Sequence, residues 1–327
     1  MSSEKTVKRI VTVTPNPSID ATVRIPALKR GEVARATETR KEAGGKGINV
    51  AHVAAKAGLD AIAVAPCQQS DPFAKAMRSV PAQFLPVHVE AQVRTNTAIT
   101  EDDGTTTKIN EAGAALSGDE LTAVESSLEK RCRSAHAVVL AGSLPPGAPA
   151  HWYSTLVQAA RRSAPGAVIA VDTSDAPLVA LGERLEEAAP DVLKPNAFEL
   201  AQLTGEDGAE LEQRAQAGDF APVVTAGRDL VARGVEAVLV TLGGSGACLV
   251  TKDGAWAATP PPTEVRSTVG AGDSSLAGYL IARLDDAPAA ECLRRAVSYG
   301  SAAASMPGTG LPSPEDLNLE QTEVFPI

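Results

Sequence analysis

The chain has 327 residues, of which 44% are hydrophobic and 21% charged, and this suits one large α/β domain or two smaller ones. Its formal net charge of -10 argues against nucleic acid and anionic membrane as main partners, because both would repel it. The four cysteines and four histidines lack the spacings of a disulfide framework or a zinc site, and no apolar leader is visible, so we expect a protein of the cytoplasm.

The charge is unevenly distributed along the chain. Residues 1–46 carry ten Lys and Arg against five Asp and Glu, although the whole chain is acidic. A basic stretch of this kind favours an anionic small molecule as ligand. A solvated surface with uneven charge explains the same pattern, so both interpretations stay open.

Short apolar runs predict parallel strands that are buried on both faces. Segments with helical spacing lie between them, for example Leu276, Tyr279, Leu280 and Leu284. This alternation predicts a doubly wound, mostly parallel sheet flanked by helices, formed by a single domain over residues 1–327. The predicted strands are Ile10–Val13, Ile62–Ala65, Ala137–Ala141, Val168–Val171, Val192–Leu193 and Val238–Leu242.

Two stretches, 15–42 and 84–111, depart from this pattern. They are rich in Thr, Val and charged residues and have turn signals at Gly31 and Gly104. They predict antiparallel hairpins that are too polar on one face for the interior of a parallel sheet. We therefore expect a small β-sheet that projects from the main domain as a lid.

The alternation within 93–100 supports a lid with a polar face. A period of two places Arg94 and Asn96 on one face of the predicted strand. A lid needs such a face toward its ligand. A plain half-solvated sheet would show the same alternation.

The segment STVGAGDSSL, which begins at Ser267, carries the most specific chemical signal. Gly270 and Gly272 allow a tight turn that exposes consecutive N–H groups where a helix begins, and such groups bind anions. A carboxylate at Asp273 is unfavourable inside an anion site unless it has a chemical purpose. In phosphoryl transfer the amides stabilise the moving group while a carboxylate accepts the hydroxyl proton. The alternative is an Asp that only caps the helix.

Two motifs together resemble the signatures of the ribokinase-like (PfkB) carbohydrate kinases. The GAGD motif ends at Asp273, and the Gly-Gly motif EAGGKGIN spans residues 42–49, in the order and separation of that family. Other segments extend the resemblance, specifically to the phosphosugar kinases of the family, over essentially the whole chain. These segments are Asn16–Asp20, Val93–Asn96, Lys108–Glu111, Gly142–Gly147 and Leu193–Asn196.

The resemblance implies roles for two groups of residues. In catalysis, Asp273 is the base and the amides around Gly270, Ala271 and Gly272 bind the transferred phosphoryl group. In sugar binding, Lys46 and Arg94 hold the phosphate already on the substrate. The remaining sugar-binding residues that it implies are Asp20, Gly44, Gly45, Asn49, Asn96, Lys108 and Ser143.

The resemblance also implies a nucleotide side. Glu199 would hold Mg²⁺ through a water molecule. The residues implied to contact ATP are Lys194, Asn196, Thr241, Gly243 and Gly246. Two alternatives stay open: Asn-x-x-Glu at 196–199 is also a helix-capping pattern, and 241–246 is also a β-turn between two strands.

The activity implied is ATP-dependent phosphorylation of fructose 1-phosphate at its C6 hydroxyl. The resemblance also allows a monovalent cation as cofactor and, by analogy, a homodimer formed through the lid, but the sequence determines neither potassium dependence nor the oligomeric state. Fructose 6-phosphate and tagatose 6-phosphate are alternative substrates, and a non-catalytic sugar-phosphate-binding protein is an alternative from another class. The loop Cys67–Asp71 departs from the family, which usually has a Gly-Gly turn there. This departure leaves the preferred phosphorylated ketohexose open.

Overall fold

The computed structural model of the chain describes residues 7–327. Residues 1–6, which begin the basic stretch, lie outside the described residues. The strands are β1 Arg9–Val13, β2 Ser18–Ile25, β3 Glu38–Gly44, β4 Asp60–Pro66, β5 Gln83–Val87, β6 Arg94–Glu101, β7 Thr106–Asn110, β8 Ala137–Ala141, β9 Val168–Asp172, β10 Val192–Leu193, β11 Ala237–Thr241, β12 Ala247–Thr251, β13 Gly254–Thr259 and β14 Glu323–Pro326.

The helices of the described residues follow the strands in the order that a doubly wound fold requires. They are α1 Lys46–Lys56, α2 Pro72–Ala76, α3 Gly118–Cys132, α4 Trp152–Ser163, α5 Asp175–Gly182, α6 Leu185–Ala188, α7 Ala197–Thr204, α8 Gly208–Gln216, α9 Ala221–Ala232, α10 Ala271–Leu284 and α11 Ala289–Ser305. Short 3₁₀ helices lie at Met77–Ser79, Gly243–Ser245 and Pro314–Asp316. No helix within residues 7–327 combines the length and the apolar character needed to cross a membrane.

The main sheet has ten strands in the order β14-β13-β12-β11-β10-β9-β8-β1-β4-β5. The seven strands from β11 to β5 run parallel, and β12, β13 and β14 extend the edge beside β11 in antiparallel fashion. The six apolar runs predicted from the sequence are six of the seven parallel strands. The predicted fold class is therefore confirmed, and the antiparallel edge is an addition to it.

Helices cover both faces of this sheet, and the strands supply side chains to both layers in alternation. On β1, Val11 and Val13 pack into one apolar cluster, whereas Ile10 packs into the other. The first cluster draws on α3, α4 and α7 to α9, and the second on α1, α2, α10 and α11. Burial on both faces explains why these strands are continuously apolar in sequence.

The lid is a separate four-stranded sheet in the order β3-β2-β6-β7. The β2–β3 and β6–β7 pairs are antiparallel, as predicted for hairpins, with Gly104 at positive φ in the β6–β7 turn. The prediction omitted the central pairing, in which β2 and β6 run parallel. The register of that pairing sets Asp20 beside Asn96 and Ser18 beside Arg94, so all four side chains share one face.

The predicted lid segment 84–111 is divided between the two sheets. Its first part lies in β5, which pairs in parallel with β4 at the edge of the main sheet. Only β6 and β7 join the lid. Because β5 is an edge strand, it is only partly buried, as a lid strand would be. The sequence prediction therefore assigned it to the wrong sheet.

Candidate active site

Polar residues, some predicted for the site and some not, converge on the carboxyl edge of the parallel strands. The strand order reverses direction between β1 and β8, and open α/β sheets bind ligands outside the carboxyl ends of the strands at such a switch point. Asn16 and Ser143 follow β1 and β8, and Asp172 ends β9. Lys194 follows β10 and Thr241 ends β11, so five neighbouring strands contribute to one edge.

Asp273 lies in the first turn of α10 and is buried, with 8% of its surface exposed. Gly270 occupies the N-cap position at φ 75°, and no side chain caps the helix. The alternative reading of Asp273 as a capping residue is therefore wrong. Its Oδ2 instead accepts a hydrogen bond from Nδ2 of Asn49 at 2.7 Å, which ties the start of α10 to α1.

The surroundings of Asp273 favour a proton acceptor. Burial, and then the charge of Asp172, raise the pKa of Asp273 to about 6, although Lys46 and Lys194 oppose this. The first amides of an α-helix have no acceptor within the helix. The Ala271 amide donates to the main-chain oxygen of Thr268 at a long 3.4 Å, whereas the amides of Gly272 and Asp273 have no acceptor among residues 7–327 and remain available to an anion. A Cβ atom at Gly272 would lie 3.4 Å from Nζ of Lys194, which places that ammonium group close to the helix start.

Asp172 joins two lysines beneath this helix start. Its carboxylate lies 2.7 Å from Nζ of Lys46 and 3.0 Å from Nζ of Lys194, and only 1% of its side chain is exposed. Burial alone would raise the pKa of Asp172, but the two ammonium groups outweigh burial and lower it. The prediction missed this residue. The available signal was a carboxylate at the end of a continuously apolar strand, at the edge where ligands bind.

Lys46 is placed differently from the expectation for it. It was expected beside Arg94 at the phosphate already on the sugar, but its ammonium group is hydrogen-bonded to Asp172 at 2.7 Å. Burial alone would lower the pKa of Lys46, whereas the carboxylates of Asp172 and Asp273 raise it overall. Lys46 therefore belongs to the charge cluster at the start of α10. Arg94 has other partners.

The lid provides a second polar group, centred on Asp20. Its Oδ1 accepts hydrogen bonds from Ser18 Oγ at 2.8 Å and from Asn96 Nδ2 at 3.4 Å. Burial raises the pKa of Asp20 and outweighs these hydrogen bonds and the charge of Arg94, which lower it. A Cβ atom at Gly44 would lie 2.2 Å from Asp20 Oδ2, so this carboxylate packs directly against the glycine backbone.

Arg94 binds where the lid meets the main sheet. Its guanidinium group donates to the main-chain oxygens of Glu111 at 2.9 Å and Asn16 at 3.2 Å, and to Ser143 Oγ at 3.2 Å. Its Nε and the Oδ1 of Asn96 are buried and have no hydrogen-bond partner among the described residues. Lys108 is exposed on β7, where it pairs with Ala98, two residues along β6 from Asn96.

Asn196 and Glu199 form a capping box at the start of α7. Glu199 N donates to Asn196 Oδ1 at 2.9 Å, and Asn196 N donates to Glu199 Oε2 at 2.8 Å. The capping alternative is thus realised in the structure. It does not exclude a role toward ATP, because Nδ2 of Asn196 and Oε1 of Glu199 take no part in the box.

The segment 241–246 joins β11 to β12, so the strand–turn–strand alternative for it is also realised. Thr241 forms a single parallel bridge with Asn196, which places the end of β11 beside the start of α7. A Cβ atom at Gly243 would contact nothing within 4 Å. At Gly246, where φ is 97°, a Cβ atom would lie 1.9 Å from the Ala258 oxygen, so this glycine is needed for packing.

The loop Cys67–Asp71 supports the lid. Asp71 is buried; its Oδ1 accepts from Phe73 N at 2.8 Å and thereby caps α2, and its Oδ2 accepts from Val93 N at 3.0 Å. Val93 directly precedes Arg94 at the start of β6. The loop therefore fixes the strand that carries Arg94. All four cysteines are free and buried.

The acidic residues of the site fit a magnesium ion that arrives with a polyphosphate. Mg²⁺ in such sites is held by one or two carboxylates together with phosphate oxygens and waters. No group of three Asp, Glu, His or Cys side chains capable of holding a metal occurs within residues 7–327. Asp172 is engaged by two lysines, which leaves Glu199 Oε1 as a carboxylate oxygen free to act through a water.

A separate cavity of about 470 Å³ lies on the other side of the main sheet's strand ends, where the parallel strands begin. It is lined by Lys8, Arg133, His136 and Arg283, among others, near the amino ends of the parallel strands. None of the motif residues lines it. We therefore place the active site at the carboxyl edge, where the motifs meet.

Comparisons with known proteins show which family the chain resembles. The family model described as pfkB family carbohydrate kinase matches residues 13–316. A 1-phosphofructokinase of Xanthomonas campestris is 38% identical over 88% of this chain and 89% of its own, and one of Rhodobacter capsulatus is 37% identical over 94% of each. Phosphofructokinase-2 of Escherichia coli, solved in complex with substrates and products, has a TM-score of 0.83 at 30% identity, over 94% of this chain and 96% of that one. Another structure of that enzyme, in complex with potassium, has the same TM-score and identity over 95% and 97%.

Proposed function

Since the chain belongs to the pfkB family of carbohydrate kinases, we propose that it transfers the γ-phosphoryl group of ATP to the C6 hydroxyl of fructose 1-phosphate. The products are fructose 1,6-bisphosphate and ADP. The chain is thus a phosphotransferase with an alcohol as acceptor. The similarity to several proteins named 1-phosphofructokinase supports this substrate.

One observation carries the chemical part of the proposal. Asp273, a buried carboxylate with a raised pKa, lies at a helix start beside the buried ammonium group of Lys194 and the half-buried one of Lys46. The amides of Gly272 and Asp273 have no acceptor among residues 7–327 and can bind an anion. A carboxylate alone would repel a phosphoryl group. The neighbouring positive groups make a site in which a proton acceptor and a phosphoryl group can be close together.

On the sugar side, we assign Asp20 and Asn96 to the hydroxyl groups. Asp20 Oδ2 is free to accept, and the buried Oδ1 of Asn96 has no partner among residues 7–327. Arg94 and Ser143 lie at the far end of this polar group and receive the phosphate that the sugar already carries. A guanidinium group suits this task because its donors form a rigid fork.

In the transfer step, Asp273 removes the proton from the attacking hydroxyl as the bond to phosphorus forms. Asn49, which donates to Asp273, keeps that carboxylate in place. The amides of Ala271, Gly272 and Asp273 stabilise the charge on the transferred group. We assign Lys46 to this group as well, because its ammonium lies in the Asp172 cluster and not beside Arg94. Closure of the lid excludes water, which would otherwise hydrolyse ATP.

The nucleotide occupies the neighbouring strand ends in this proposal. Lys194, Asn196 and Thr241 follow or end β10 and β11, and the open space at Gly243 admits a phosphate or ribose. Glu199 is the residue that would hold Mg²⁺, through a water molecule. When bound, the ion neutralises charge on the polyphosphate.

The test is an ADP-release assay with fructose 1-phosphate, fructose 6-phosphate, tagatose 6-phosphate and free fructose. We expect kcat/KM to be highest for fructose 1-phosphate. A higher kcat/KM for another sugar would make that sugar the assigned substrate in place of fructose 1-phosphate. No sugar-dependent ADP release at all would favour a binding protein. The similarity to phosphofructokinase-2 makes fructose 6-phosphate the second candidate.

Three further proposals accompany this function. A monovalent cation activates the enzyme, which the potassium complex of the Escherichia coli relative supports. The chain forms a homodimer through its lid, because Ile109 is 56% exposed on the lid face that turns away from Asp20. The protein acts in the cytoplasm, where ATP is available and thiols stay reduced; its four free cysteines suit that environment.

A further inference from the structure

Asn16 joins the lid to the main sheet at the active-site edge. It follows β1 and is buried, with 6% of its surface exposed. Its Nδ2 lies 3.0 Å from the main-chain oxygen of Ala112, 3.2 Å from Ser143 Oγ and 3.2 Å from the main-chain oxygen of Leu144. Ala112 follows lid strand β7, whereas Ser143 and Leu144 follow β8. One carboxamide therefore contacts both parts of the molecule.

The orientation of this carboxamide is fixed by its neighbours. If it were reversed, Oδ1 of Asn16 would face the carbonyl oxygens of Ala112 and Leu144, which cannot donate. Gly113 restricts the other side, since at φ 93° its Cβ atom would lie 2.4 Å from Asn16 Oδ1. The group that Asn16 turns toward Ser143 is therefore its donor nitrogen.

The hydroxyl of Ser143 receives a second donor from the lid. Arg94 Nη2 lies 3.2 Å from Ser143 Oγ, as Asn16 Nδ2 does. Both groups can only donate, and a hydroxyl oxygen has two lone pairs. The Ser143 hydroxyl then has only its own proton to offer, and no acceptor for this proton is found among residues 7–327. The neighbouring Nε of Arg94 is likewise buried without an acceptor.

We propose that Asn16 is a positioning residue that sets the specificity of the site for a phosphorylated sugar. By donating to Ser143, it makes the serine hydroxyl a donor, so Ser143 and Arg94 offer only donors to the ligand. The oxygens of a phosphate group satisfy such donors, whereas a free hydroxyl would find no acceptor for its own proton. This inference rests on the proposed function and extends it to the phosphate that the ketohexose already carries.

The first test is Asn16→Asp, which keeps the size of the side chain and removes its donor. The new carboxylate accepts the Ser143 proton and attracts Arg94, so both are withdrawn from the ligand. We expect the KM for fructose 1-phosphate to rise roughly tenfold or more, with kcat and the KM for ATP changed by less than about threefold. Asn318→Asp adds the same charge at an exposed position near the C-terminus and should change none of these constants.

The second test asks whether Asn16 acts through Ser143. Asn16→Asp, Ser143→Ala and the double variant form a cycle. If Asn16 acts through the serine hydroxyl, the KM of the double variant rises by much less than the product of the two single increases. Independent effects, with the increases multiplying, would overturn the proposal. An equal loss toward ATP and sugar phosphate would also overturn it, because it would indicate a general structural role.

Gly113→Ala provides a route that does not add a charge, in case Asn16→Asp does not fold. It displaces the carboxamide from the loop side, and the KM for fructose 1-phosphate should again rise selectively. An unchanged KM in this variant contradicts the proposal. If the wild-type enzyme shows no ADP release that depends on a sugar phosphate, the proposed function itself fails. If the wild-type enzyme is active and both variants keep its KM, only the proposed role of Asn16 is rejected.

Discussion

Asp273 is the residue on which the proposed chemistry depends most directly. Asp273→Asn keeps the shape of the side chain but cannot accept the hydroxyl proton. We expect kcat to fall by a factor of roughly 100 or more, with KM values for ATP and fructose 1-phosphate within several-fold of wild type. Steady-state kinetics measure this directly. A kcat close to wild type would exclude Asp273 as the base.

The pH dependence of the reaction follows from the surroundings of Asp273. Its pKa of about 6 means that the base is protonated at lower pH, so kcat/KM should fall as the pH drops through about 6. Asp172 contributes to that raised value through like-charge repulsion. In Asp172→Asn the repulsion is lost, the pKa of Asp273 falls, and the acid limb should move to lower pH.

The difference between these two pH profiles does not depend on the titration of the substrates. Substrate phosphates titrate in the same range, but they are the same for both proteins and cancel in the difference. Asp285→Asn, at an exposed position at the end of α10, is the control and should leave the limb in place. A limb that moves to higher pH in Asp172→Asn would contradict the assignment of Asp273.

The proposed role of Arg94 is to bind the sugar phosphate and not the phosphates of ATP. Its partners Ser143 and Asn16 follow β8 and β1, apart from the ends of β10 and β11 that are assigned to ATP. Arg94→Ala should therefore raise the KM for fructose 1-phosphate at least about tenfold and change the KM for ATP little. Arg24→Ala removes an exposed arginine from lid strand β2 as a control. Equal increases for both substrates would remove Arg94 from the sugar-phosphate subsite.

At the scale of the elements, the pairing of β2 with β3 brings a glycine against a binding carboxylate. A Cβ atom at Gly44 would lie within 2.5 Å of three atoms of the Asp20 carboxyl group, so this half-buried side chain must move. We expect Gly44→Ala to lower kcat/KM for the sugar phosphate by roughly tenfold to a hundredfold. The KM for ATP should change little.

The matched control is Gly166→Ala, at which a Cβ atom meets nothing within 4 Å. Its kinetic constants should equal those of the wild type. If Gly44→Ala also leaves the sugar-phosphate constants unchanged, Asp20 does not depend on this contact and its assignment to the sugar hydroxyls loses its support.

The registers of the lid explain how short elements form a precise site. Ser18 pairs with Arg94 and Asp20 with Asn96 across the parallel β2–β6 contact, and Asp71 fixes the residue before Arg94. A shift of one residue in this pairing would turn these side chains to the other face. The binding groups therefore depend on strand pairing between segments about 75 residues apart.

At the scale of the whole molecule, the outer face of the lid bears on assembly. Ala21, Thr97 and Ile109 lie in one row across three strands on the face opposite Asp20. We expect Ile109→Lys to convert the proposed dimer into a monomer, measured by light scattering after size-exclusion chromatography. Val179→Lys, on α5, is the control for an added charge at an exposed apolar position. A wild-type protein that is monomeric, or a variant that stays dimeric, would contradict assembly through this face.

The sequence by itself determined the fold class and was enough to predict where the transfer chemistry takes place. Strands such as Ala137–Ala141 are apolar at every position because both faces are buried, and this pattern is local. The GAGD motif is local in the same sense, since its glycines and Asp273 occupy a single turn at the start of α10. Signals of this kind depend on near neighbours in the chain, so they are readable without coordinates.

Only the tertiary structure decided which residues share a subsite. The family resemblance places Lys46 with Arg94 at the sugar phosphate, but the packing of α1 against the ends of the strands brings Lys46 to Asp172, 126 residues away. The same holds for β5, whose half-buried pattern is that of an edge strand and does not identify the sheet it joins. The periodicity of a sequence indicates which residues are buried. Which residues contact one another is set by strand pairing and packing between distant segments, so the clusters around Asp172 and Asn16 became visible only in the folded chain.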